Sequence, residues 1–153
     1  MRALEHRIPP PAVAALIAAA MWGVSALQPS LPLTPTVRQF AALALAVTGA
    51  GFDLLGVVAF VRAKTTVNPL RPTKASALVT GGVYRVTRNP MYVGLALVLL
   101  AWAVYLSSLW PFLGPALFVL YMNRFQIAPE ERVLESLFGD EYARYAARVR
   151  RWL

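Results

Sequence analysis

The sequence contains no cysteine, which excludes disulfides, thiolate metal sites and cysteine nucleophiles. Histidine is almost as scarce. His6 stands alone near the N-terminus, so it reads as a solvated side chain, and neither a histidine metal cluster nor a histidine-based triad is available. Charge is thin too, at 14% of 153 residues, against roughly 25% in ordinary soluble proteins. Acids are the scarcer sign, with 7 Asp and Glu against 15 Lys and Arg, and the formal net charge is +8. A Gly-x-Gly-x-x-Gly motif is also missing, so a dinucleotide-type fold has no support.

What the chain has in excess is apolar residues, 58% of the total. Uncharged stretches run from Ile8 to Val37, Gln39 to Phe52, Leu54 to Val61 and Asn89 to Asn123, and a bilayer core takes about 20 apolar residues per helix. The pattern predicts one all-α domain over 1–153, an integral membrane bundle of about four transmembrane helices followed by cytoplasmic amphipathic helices. The first span, 12–28, follows a triple proline and stops at the cluster Pro29, Pro32, Pro35. Arg2, Glu5 and Arg7 followed by prolines make a poor cleavable signal, so this span reads as retained. A second span, 40–61, is closed by Arg62 and Lys64. Residues 63–90 form a polar, proline-broken loop, and Ser107-Ser108 with Pro111 then divides the last uncharged block into spans at 91–106 and 112–123. Arg124 sits at the shallow end of the fourth span, its guanidinium snorkelling.

Basic residues flank these spans unevenly: six in or beside the central loop, six after the fourth span, only Arg38 between the first two. The positive-inside rule puts both termini and the central loop in the cytoplasm, which for a bacterial chain means insertion in the inner membrane. Nucleic-acid binding, the other reading of a basic chain, does not suit charges that flank apolar spans. After Pro129, Val133, Leu134, Leu137 and Phe138 recur at helical spacing, Gly139 reads as a stop and Asp140 as a fresh N-cap. In the final helix Arg144, Arg148 and Arg151 lie mostly opposite an apolar face, a pattern that suits either the inner leaflet or docking on the protein's own core.

Three places carry chemistry. The block from Leu78 and Val79 through Thr80-Gly81-Gly82-Val83-Tyr84-Arg85-Val86-Thr87-Arg88-Asn89-Pro90-Met91-Tyr92 mixes glycines, cations and tyrosines. Such a mixture suits an anionic, aromatic ligand, and it equally describes a basic loop with ordinary turns. Arg124 with Pro129-Glu130-Glu131 sets two carboxylates beside the last span, either as a site or as first-turn acids favoured by the helix dipole. Asp53 is the sole acid inside a predicted span, a candidate for a substrate contact or a structural pair with a neighbouring Arg or Lys.

Taken together, Thr80-Gly81-Gly82-Val83-Tyr84, then Thr87-Arg88-Asn89-Pro90-Met91-Tyr92-Val93-Gly94, then Pro129-Glu130-Glu131 with Phe138-Gly139 and Tyr142 resemble the isoprenylcysteine carboxyl methyltransferase and phospholipid methyltransferase family over about 65–153. The family's Arg-His-Pro-x-Tyr reads Arg88-Asn89-Pro90-Met91-Tyr92 here, and asparagine keeps the hydrogen-bonding capacity of that position but not its titration. The resemblance implies a methyltransferase using S-adenosylmethionine. It implies cofactor contacts from Leu78, Val79, Gly82, Tyr84 and Pro90, with Arg88 and Asn89 fixing the polar end. Tyr92 closes the pocket, and Glu130 and Glu131 hold ribose hydroxyls or the methionine amine. Arg124, Glu130 and Glu131 are the candidate catalytic residues. No metal is expected, and the acceptor is a hydrophobic or lipid-like carboxylate or amine entering from the bilayer. Two alternatives stand beside it: a non-catalytic membrane partner protein, and a membrane NADPH-dependent reductase of related architecture.

Overall fold

Proline placement starts the helices. Pro10, Pro35 and Pro90 each open one, because a missing N–H costs nothing in the first turn and the fixed φ suits a helix. The structure, a computed structural model, describes residues 8–27, 29–63 and 77–153. His6, the basic flank Arg2 and Arg7, Gln28 and loop residues 64–76 lie outside the described residues. Helix α1 covers Pro10–Ser25, α2 Pro35–Arg62, α3 Pro90–Leu106, α4 Leu113–Met122 and α5 Ala128–Arg148. No strand occurs among the described residues. Helix α2 therefore begins five residues before the expected 40–61, since Pro35 initiates it rather than only ending what precedes it.

Helix α3 is the centre of the bundle. It packs along α2, on α1 and on α4, while α1 and α2 scarcely touch one another. Its approach to α2 is close because glycines face each other. A Cβ at Gly49 would fall 2.7 Å from the Gly94 carbonyl, and one at Gly94 would run into the Asp53 carboxylate and the Gly49 carbonyl. Asp53 thus packs against the α3 backbone and forms no ion pair among the described residues. On the other side, Val13 and Met21 of α1, Leu99 and Ala103 of α3, and Phe118 and Met122 of α4 form the core, with Tyr92 at one end. The indole of Trp102 donates to the Ala18 carbonyl at 3.0 Å, tying α3 to α1.

The turn after α3 passes through Ser107 at φ 51 and meets the α1–α2 linker, the Leu31 N–H donating to the Ser107 carbonyl at 2.5 Å. Helix α4 does not stop at Arg124. It runs through a π-helical segment, Asn123–Ile127, directly into α5. Pro129 explains the widened turn, because its ring and missing N–H conflict with regular α bonding to the residue four before it. The expected break at Gly139 is a kink at φ 46, ψ −123 inside α5. Beyond Arg148 the chain leaves the helix, with Val149 extended. Arg151 is therefore not on the polar face of a helix with Arg144 and Arg148.

By length and composition, among the described residues only α2 is long and apolar enough to cross a membrane; α1 and α3, with 16 and 17 residues, are shorter apolar helices. Most of the apolar window of α2 lies outside the protein core, with Leu43, Val47, Leu54 and Leu55 exposed.

Candidate functional site

Two polar sequences far apart in the chain meet at the end of α3 that Pro90 opens. One arrives by the short turn Gly82–Arg85, where Gly82 takes φ 60, and by the loop that leads into α3. The other arrives on the first turn of α5, just past the π segment. Arg88 Nη2 donates to Glu131 Oε1 at 2.9 Å, and the Tyr92 hydroxyl donates to Glu130 Oε1 at 2.6 Å. Because α5 presents Glu130 and Glu131 consecutively, they point about 100° apart round the helix. One therefore reaches α3 and the other the loop before it.

A third strand of chain closes the cluster. Arg151, in the tail after α5, grips Glu131 with a fork, Nη2 to Oε2 at 2.5 Å and Nε to Oε1 at 3.1 Å. The tail is pinned along the loop by its own backbone. The Arg88 N–H donates to the Arg150 carbonyl at 2.9 Å, while Asn89 Nδ2 at 2.9 Å and Thr87 Oγ1 at 3.2 Å both donate to the Arg151 carbonyl. Trp152 then donates from its indole to Asn123 Oδ1 on the π segment at 3.0 Å. Buried Thr87 and the side chain of Asn89 thus hold protein against protein.

Aromatic rings wall the cluster. Tyr84 is buried, stands edge-on to Phe60 of α2, and accepts the Tyr145 hydroxyl on its carbonyl at 2.8 Å. The Arg88 guanidinium lies 6.0 Å from the centre of the Tyr142 ring. Electrostatics follow from this enclosure. Burial pushes the Glu130 carboxyl up to about 7, the Tyr92 hydrogen bond opposes that rise and the neighbouring Glu131 charge adds to it. Burial likewise raises Tyr84, with Tyr145 and Glu130 adding, and raises Tyr142 to about 12. Glu131, by contrast, has two cations on its oxygens.

Of the residues singled out in the sequence, the structure unites Arg88, Tyr92, Glu130 and Glu131 by direct bonds, with Tyr84 beside Glu130. Asn89 faces the tail, Pro90 is buried as the first residue of α3, and Leu78 and Val79 are half-buried in the strand of loop before Gly82. Arg124 is exposed, with its guanidinium over the Phe125 ring. Arg151, Thr87 and Tyr145 belong to the cluster, and the sequence reading missed them. For Arg151 no local signal exists, since its place depends on the route of the tail.

Among the described residues no group of three or more His, Asp or Glu is arranged to hold a metal ion. The site's own atoms fit an amino-acid cofactor bearing a carboxylate and an amine. Arg88 Nε is buried with no acceptor, and Glu131 offers a carboxylate beside it.

The sequence matches known proteins over much of its length. A profile of the phospholipid methyltransferase family matches residues 37–141, which include most of α2, the Arg88 loop, α3, α4 and the Glu130-Glu131 turn. A protein-S-isoprenylcysteine O-methyltransferase of Schizosaccharomyces pombe is 37% identical over 79 residues, 50% of this chain and 32% of that protein. A probable protein-S-isoprenylcysteine O-methyltransferase of Oryza sativa is 34% identical over 114 residues, 72% of this chain and 58% of that protein. An uncharacterized protein of Haemophilus influenzae is 56% identical over 63 residues, 41% of this chain and the whole of that protein. The chain thus spans well under two thirds of the two named methyltransferases. No solved structure matches it.

Proposed function

Since the chain belongs to the phospholipid methyltransferase family, we propose that it is an integral membrane enzyme moving a methyl group from S-adenosylmethionine to a hydrophobic or lipid-like acceptor at the inner membrane face. The observation that carries this reading is the Arg88–Glu131 ion pair beside the Tyr92–Glu130 hydrogen bond, two links that join motifs 43 and 38 residues apart at one point. When bound, S-adenosylmethionine supplies an electrophilic methyl on a sulfonium. The protein then has only to align the acceptor with that methyl and keep water away.

In this reading Arg88 and Arg151 hold the methionine carboxylate, and Glu131 takes the amine or the ribose hydroxyls. Gly82 lets the backbone come close, Tyr84 and Tyr92 close the walls, and Leu78, Val79 and Pro90 line the apolar side. Asn89 acts one step back, by fixing the tail that presents Arg151. Glu130 has the chemistry of a base, because a carboxyl that titrates near 7 exchanges a proton readily at neutral pH. A carboxylate acceptor needs no base, whereas an ammonium acceptor passes its proton to Glu130. Arg124 is assigned no step.

The exposed apolar surface of α2 supports insertion in a bilayer, with α1, α3 and α4 as the shorter companion spans and the termini and Arg88 loop in the cytoplasm. Incubating the purified protein with methyl-labelled S-adenosylmethionine and extracted lipids tests the proposal. Label is expected in the organic phase and lost when S-adenosylhomocysteine is added. No transfer, with NADPH displacing the bound cofactor, overturns it.

A further inference from the structure

At the opposite end of the bundle from Arg88 lies an apolar cleft of about 570 Å³, within the roughly 300–1,000 Å³ typical of small-molecule sites. It exists because α1 and α2 both pack on α3 and scarcely on each other, and because α1 and α2 face the gap mainly with alanines. Ala14 and Ala18 line one wall, Ala42 and Ala46 the other, and Leu99 and Trp102 the floor. Tyr105 lines the cleft too and carries the guanidinium of Arg38, 5.5 Å from its ring centre.

Apart from the Tyr105 ring, Arg38 has no counter-charge among the described residues. It lies in the first turn of α2, where the helix dipole disfavours a cation. Its Nε is shut off from solvent with no acceptor among the described residues. The sequence has no acid between Ile8 and Phe52, and Asp53 is 15 residues further along the same helix, about 22 Å at 1.5 Å per residue. The remaining described acids are on α5, with the Arg88 cluster.

We infer that this cleft binds one anionic phospholipid of the leaflet opposite the methyl-transfer site, with its phosphate on Arg38 and an acyl chain along the alanine-lined walls. The charge fixes the head group class: the Arg38 guanidinium attracts phosphate, and no described carboxylate lies nearby to hold an ammonium. The lining fixes the rest, since an apolar trough next to the cation suits a chain attached to that phosphate. This inference rests on the membrane reading above but not on the chemistry of transfer, because the cleft and the Arg88 cluster lie at different ends of α3.

The test uses the full chain, extracted in mild detergent, stripped of lipid and titrated with phosphatidylglycerol, phosphatidylcholine or inorganic phosphate, read by native mass spectrometry and thermal shift. One phosphatidylglycerol is expected per chain, bound more tightly than phosphatidylcholine, with inorganic phosphate competing poorly. Arg38→Gln should weaken phosphatidylglycerol by about tenfold and erase the head-group preference. Ala46→Phe, which fills the trough, should weaken both lipids. Unchanged S-adenosylhomocysteine affinity in both variants shows that they are folded. Wild-type lipid affinity in both folded variants, or inorganic phosphate competing as well as the lipid, overturns the proposal. So does recovery of the bound lipid in methylated form, which would make the cleft part of the acceptor path. A chain found in the soluble fraction without detergent overturns the membrane reading and this inference with it.

Discussion

Glu131 is held by two guanidiniums, and the Nε of Arg88 is buried with no acceptor among the described residues, so in the proposed function the pair both fastens the chain and meets the cofactor. Arg88→Ala and Glu131→Ala should each weaken S-adenosylhomocysteine binding by roughly 1.5–3 kcal/mol, the range of hydrogen bonds to charged groups. The double variant should lose less than the sum, because both contact one ligand. Calorimetric titration of the three folded proteins checks this, and wild-type affinity in a single variant would remove that residue from the site. Glu130 invites a different experiment. Its folded carboxyl holds a proton up to about 7 while the unfolded one releases it near 4.5. The stability it contributes is therefore full below the lower value and disappears as pH rises through the higher one. Thermal unfolding in detergent between those limits should show a falling midpoint in the wild type and a flatter profile in Glu130→Gln. At this scale the meeting of the Arg88 and Glu130-Glu131 motifs was legible through the family resemblance, since residue types alone describe a basic loop and a helix cap equally well. Arg151 was not, because a cation three residues past a helix looks the same whether it faces lipid or a carboxylate.

A π turn and a kink, rather than regular helices, aim these side chains. The sequence announces Gly139 as a break, and the chain bends there at positive φ. Pro129 reads from sequence as the start of a new helix, and what it does instead is force the continuous helix to widen over Asn123–Ile127. That distinction is invisible in sequence, since both outcomes satisfy a proline near a helix start. Replacing it should restore regular α bonding and turn Glu130 and Glu131 away from Tyr92 and Arg88. Pro129→Ala is accordingly expected to keep its helix content by circular dichroism yet lose S-adenosylhomocysteine affinity by about tenfold, 1.4 kcal/mol; unchanged affinity would mean the π turn does not set the aim. The α2–α3 contact was equally hidden, because glycines within apolar runs give no sign of which ones face a partner. Gly94→Ala should lower stability by about 1–3 kcal/mol through overpacking. Adding Asp53→Ala should not restore it fully, since the Gly49 carbonyl still stands 2.7 Å from the new Cβ.

At the scale of the whole chain, charge and helix direction specify the same arrangement. Helix α3 leads away from the Arg88 cluster, the Ser107 turn reverses the chain, and α4 with the π segment returns it to Glu130. Among the described residues, nine of the ten basic ones lie at the end of α2, in the Arg88 loop or after α4, and the tenth, Arg38, lies at the opposite end. The apolar runs made the helices legible, but their lengths leave the number of crossings to experiment: α1 and α3 have 16 and 17 residues, about 24–26 Å of helix against a hydrocarbon core of about 30 Å. Mismatch of a few ångströms is absorbed by local thinning and by flanking side chains, so short helices still cross. In the proposed four-span arrangement the even number of crossings would put the two ends of the chain on one side, which the positive-inside rule would make the cytoplasm. Tags at Met1 and Leu153 should both resist an impermeant reagent in intact cells and react once the membrane is opened. A single crossing by α2 would instead leave one tag outside, so labelling of either in intact cells would reject the four-span arrangement while leaving the Arg88–Glu131 site intact.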